Sequence, residues 1–73
     1  MCESLVTPEV RLANDIAVQF HHMPADAAAK AVATHIGQFW ERRMREHLFA
    51  QVDAGDTADL DPVALAAVAL LRR

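Results

Sequence analysis

Three prolines, Pro8, Pro24 and Pro62, fix where helices can start and stop in this chain. Proline has no backbone N–H and a locked φ, so it suits the first turn of a helix and breaks a helix interior. In "TPEV" a capping threonine, Thr7, stands directly before Pro8, and Glu9 meets the positive helix end. In "LDP" Asp61 stands in the same relation to Pro62. Pro24 closes a first helix that starts at Pro8 and carries Leu12, Ile16, Phe20 and Met23 on one face, with Ala13 beside them.

Fifteen alanines fill the segments between the prolines, and strand-type alternation of β-branched residues is missing. A second helix is expected over roughly 25–39, with Ala28, Val32, His35, Ile36 and Phe39 on its inner stripe. A third runs from Trp40 or Glu41 to Ala54, lined by Met44, Leu48 and Val52, and Gly55 supplies its stop. If it begins at Trp40, that indole sits about 40° from Met44 and is buried. A shorter fourth helix follows Pro62, with Leu65 and Val68 inward, and Arg72 and Arg73 suit its negative end. The expected product is all-α: one compact bundle of three longer helices and a short fourth. Short loops favour antiparallel packing of consecutive helices, and alanine-rich faces let helix axes come close.

The 73 residues make a single domain, with residues 1–7 read as a flexible N-terminus and 53–61 as an acidic loop. A chain this short is marginally stable by itself. Its one cysteine, Cys2, removes disulfides and fits a reducing, cytoplasmic setting. The opening "MCESLVTPEV" does not read as a signal peptide, and the longest apolar run, "VALAAVALL", is too short to span a membrane. The net charge of −3 is accounted for by the aspartates of "DAGDTADLD", so the rest is near neutral and carries no nucleic-acid footprint.

No catalytic, cofactor-binding or metal-binding constellation is legible. His21 and His22 are adjacent and point about 100° apart on a helix, so they cannot share one ion. His35 and His47 fall on different helices, and no HExxH or CxxC spacing exists. His35 is read as a core histidine. The aspartate run lacks the order and closing glutamate of a calcium loop. There is no phosphate-cradling glycine loop and no nucleophile beside a base.

"HIGQFWERRMREHL" concentrates Phe39, Trp40, Phe49 and three arginines at one place. Arg42–Glu46 and Glu41–Arg45 pair at i, i+4, which describes a surface charge ladder. With Met44 as the core centre, Phe49 lies about 140° away, and Arg42 and Arg45 about 160° and 100°. Arg42, Arg45 and Phe49 are therefore expected to share an outward, partner-binding face. The alternative is a free-standing regulator that binds nucleic acid or an anionic nucleotide through Arg42, Arg43 and Arg45.

The chain resembles the delta subunit of NAD-dependent, molybdenum- or tungsten-containing formate dehydrogenases. The resemblance rests on Arg11, Ala13, Asn14, Ile16, Ala17 and Phe20, then Pro24, Ala31, Val32, His35 and Ile36. It continues through Phe39, Trp40, Arg43, Met44 and Arg45 to Leu60, Asp61 and Pro62. The family pattern has a proline two residues after the tryptophan, where this chain has Arg42, which softens the expected break between helices two and three. The resemblance implies a noncatalytic accessory subunit that supports assembly or stability of the catalytic alpha subunit. It implies that bis-molybdopterin guanine dinucleotide, iron–sulfur clusters and FMN reside in alpha, beta and gamma subunits. It implies no nucleic-acid and no membrane partner.

Overall fold

The computed structural model describes residues 7–72; Cys2 and the remainder of 1–6, and Arg73, lie outside the described residues. Four helices follow in order: α1 Pro8–Gln19, α2 Ala25–Phe39, α3 Arg42–Asp53 and α4 Pro62–Leu71. No strand occurs among the described residues, so the fold is all-α.

Pro8 and Pro62 act as expected. Thr7 Oγ1 accepts from the Val10 N–H at 3.2 Å with Pro8 in the first helical position. Asp61 Oδ1 accepts from the Val63 N–H at 2.8 Å ahead of Pro62. Gly55, at φ +80°, ends the turn after α3 in the left-handed region that glycine alone enters without strain.

Two boundaries differ from expectation. α1 stops at Gln19 rather than running to Pro24, because Phe20 and His21 turn back to the Ala17 and Val18 carbonyls. Met23, directly before Pro24, is also disfavoured from helical backbone. Between α2 and α3, Trp40 and Glu41 are both extended, with ψ of 141° and 153°. The break is sharp even though Arg42 occupies the place of the family's proline.

The packing order also departs from a bundle of consecutive neighbours. The most extensive helix pairing is between α2 and α4, and α1 touches each of the other three. α3 leaves α2 at Trp40 and lies on α1, where the Thr7 hydroxyl donates to Gln51 Oε1 at 2.9 Å and His47 Nδ1 lies 3.2 Å from Glu9 Oε2. Small faces explain the choice. Ala28, Ala29, Val32, Ala33 and Ile36 of α2 and Ala64, Ala67 and Val68 of α4 are all buried, so the two axes can approach closely.

The core is built from Val10, Ala13, Ala17, Val32, Ala33, Ile36, Trp40, Leu48, Leu60, Ala64, Ala67 and Val68. Ile16, Phe20, Met44 and Val52 are half-buried at its margin. Four expected core residues lie outside it: Leu12 is 43% exposed, Phe39 71% and Leu65 37%, and His35 is half-buried. In α1 and α4 the alanine faces turn inward for close approach, which rotates Leu12 and Leu65 to the rim. In α2, with Ile36 as the centre, Phe39 lies about 60° and His35 about 100° to the same side. His35 is therefore half-buried and stacks on the Phe39 ring at 4.8 Å, rather than lying in the core.

Candidate docking surface

The arginine–aromatic cluster is taken apart by the fold. Arg42 is exposed and pairs with Glu46 at 3.0 Å, as its spacing suggested. The Glu41–Arg45 pair does not form. Glu41 is the N-cap residue of α3, and Arg45 donates from Nη1 to the Trp40 carbonyl at 2.7 Å. That bond satisfies a carbonyl at the end of α2 that no helical N–H reaches.

Phe49 is half-buried against the core, and the Arg72 guanidinium lies 5.4 Å from its ring centroid. The centre of burial in α3 is Leu48, not Met44. This shift brings the core about 40° closer to Phe49. Arg42, Arg45 and Phe49 thus do not form one outward face. The anionic-ligand alternative loses two of its three arginines to internal partners, Glu46 and the Trp40 carbonyl.

Several other polar side chains also make bonds within the fold. Asn14 of α1 donates from Nδ2 to the Asp59 carbonyl and accepts the Asp61 N–H at Oδ1, both at 2.7 Å. His21 Nε2 sits 2.8 Å from Asp61 Oδ2. Asp53 and Arg72 join the C-terminal ends of α3 and α4 through two bonds, one of them at 3.1 Å. The hydrogen bond from Arg72 lowers the Asp53 pKa from its ordinary value. Among the described residues no group of three His, Cys, Asp or Glu side chains could hold a metal, and no helix is long and apolar enough to cross a membrane.

Besides the single exposed side chains Leu12, Val18 and Phe39, the fold leaves uncovered the outer side of α4. Its segment "PVALAAVALL" has no polar side chain, yet only Ala64, Ala67 and Val68 are buried. Pro62, Leu65, Ala66 and Ala69 are exposed and fall within an arc of about 100° around the helix. A helix that is apolar all round is normally covered all round. Beside this face, Ala66, Ala69 and Leu70 form an open groove with Asp26, Ala29 and Lys30 of α2. This surface was not singled out in the sequence, although the signal was present: with no polar residue in 62–71, whichever side packs inward leaves an apolar side outward.

The sequence model of the NADH-dependent formate dehydrogenase delta subunit, FdsD, matches residues 10–68. The chain belongs to that family. No curated protein and no solved structure matches it. The delta-subunit match takes in the Asn14–Asp61 junction, the whole of α2 and most of α4. It ends before Arg72, so the Asp53–Arg72 tie lies partly outside the family segment.

Proposed function

We propose that this delta subunit is a noncatalytic accessory chain that binds the catalytic alpha subunit through the outer face of α4 and supports its assembly or stability. The observation that carries the reading is a ten-residue helix without one polar side chain whose outer face meets solvent. Covering that face removes apolar area from water, worth about 25 cal/mol per Å². In this reading bis-molybdopterin guanine dinucleotide, iron–sulfur clusters and FMN belong to alpha, beta and gamma subunits, and the complex is cytoplasmic.

The test is an Ala66→Glu, Ala69→Glu double variant. Both alanines are exposed and glutamate is a good helix former, so the fold should persist. The variant is expected to keep the parent's circular dichroism and melting profile and to fail to co-purify with the alpha subunit. Equal co-purification of parent and variant would overturn the assignment of this face. Formate-dependent NAD reduction by the isolated chain would overturn the noncatalytic reading.

A further inference from the structure

The groove beside α4 combines three properties that describe its occupant. It lies between α2 and α4, the most extensively paired helices. Its walls are apolar: Ala29 on one side, and Ala66, Ala69 and Leu70 on the other. Its α2 rim carries Asp26 and Lys30, one helical turn apart, of which Lys30 is the only lysine in the chain. No ion pair among the described residues involves Lys30.

We propose that this groove receives a single amphipathic helix of the partner subunit, with large apolar side chains seated between α2 and α4 and a carboxylate placed against Lys30. The inference rests on the reading that the α4 face is the docking surface, and specifies what covers it. No strand occurs among the described residues, so no sheet edge is offered for strand addition. A trough between two packed helices accepts the ridge of a third, and short wall side chains let its axis come near. The exposed positions from Pro62 to Ala69 run about 10 Å along the axis, two turns of a partner helix.

The rim charges separate the candidates. One cation and one anion balance, which does not suit anionic lipid or nucleic acid, where clustered basic residues are needed. A second copy of this chain paired trough to trough would set one alanine-lined wall against another, with only Leu70 supplying a large side chain. Interfaces pack as densely as interiors, so the occupant must bring the bulk this face lacks. A carboxylate at its edge gives the unpaired ammonium a charge-assisted bond.

The assembled complex tests this by two measurements. Zero-length carbodiimide coupling followed by peptide mapping should join Lys30 to an aspartate or glutamate within a helix of the partner subunit. A link from Lys30 to another copy of this chain, or a Lys30 as reactive toward amine reagents in the complex as in the free chain, would overturn the proposal. The second measurement is the affinity of an Ala66→Leu, Ala69→Leu variant. A trough that must admit a helix is blocked by added bulk, so binding should weaken about tenfold or more. A merely adhesive apolar face would bind as well or better, and that result would also overturn the proposal. If the glutamate variant fails to bind while the leucine variant binds like the parent, the docking face stands and the helix-in-groove reading falls. If both bind like the parent, the face itself is wrong.

Discussion

Asn14 of α1 holds the start of α4 in place: its Oδ1 accepts the Asp61 N–H at 2.7 Å, and its Nδ2 donates to the Asp59 carbonyl at the same distance. One side-chain amide thus fixes both ends of a three-residue segment whose middle residue, Leu60, is buried in the core. An amide is suited to this task because it carries a donor and an acceptor on one planar group.

Replacing Asn14 with Leu should cost about 1–3 kcal/mol, because the Asp61 N–H and Asp59 carbonyl lose their partner together. Asn14→Asp keeps the acceptor but sets a carboxylate against the Asp59 carbonyl, so it should restore only part of the loss. Urea denaturation of the three proteins checks the order. Equal midpoints for Asn14→Leu and parent would contradict it.

Adjacent aromatic residues should respond in opposite ways. Trp40 is 8% exposed and joins the core, whereas Phe39 is 71% exposed. Trp40→Ala is expected to cost about 3–5 kcal/mol, most of the stability of a domain this size. Phe39→Ala should stay within about 0.5 kcal/mol of the parent. Thermal melts of the two variants decide the matter, and a larger loss at Phe39 than at Trp40 would refute the packing described.

Gly37 lies inside α2 and is exposed. A Cβ added there meets Leu71 Cδ2 at 3.6 Å, an ordinary van der Waals contact. Gly37→Ala should therefore stabilise the isolated chain by about 0.5–1 kcal/mol, by reducing the freedom of the unfolded backbone. At this size that raises the melting temperature by roughly 4–8 °C per kcal/mol. A lower melting temperature would show that the backbone at 37 needs glycine.

The Asp53–Arg72 tie predicts a pH response. The hydrogen bond from Arg72 holds the Asp53 pKa below its ordinary value. A carboxylate with a depressed folded-state pKa contributes stability above its unfolded pKa and loses it as the pH falls through the folded pKa. An NMR titration of the Asp53 carboxyl carbon should give a lower midpoint in the parent than in Arg72→Gln. Coincident midpoints would show that the pair does not persist in solution.

The helices and their caps were legible because Thr7–Pro8, Asp61–Pro62 and Gly55 act locally, through hydrogen bonds and allowed φ values within a few residues. Facing was less legible. Leu12 and Leu65 read as inward residues because they fall at helical spacing on the apolar stripes of their segments. Close helix approach instead selected Ala13, Ala17, Ala64 and Ala67 for the interior. Phe49 reads as outward when Met44 is taken as the centre of α3, and the true centre at Leu48 depends on where α3 docks. That docking, on α1 rather than α2, involves contacts between residues far apart in the chain, such as Thr7 with Gln51, which no local pattern specifies.

The central claim, that a partner subunit covers the outer face of α4, is tested most directly by hydroxyl-radical footprinting of Leu65. In the free chain Leu65 is 37% exposed and should be modified readily, while buried Val68 is protected. In the assembled formate dehydrogenase complex, modification of Leu65 should fall to the level of Val68. Leu65 reacting in the complex as it does in the free chain would contradict the account.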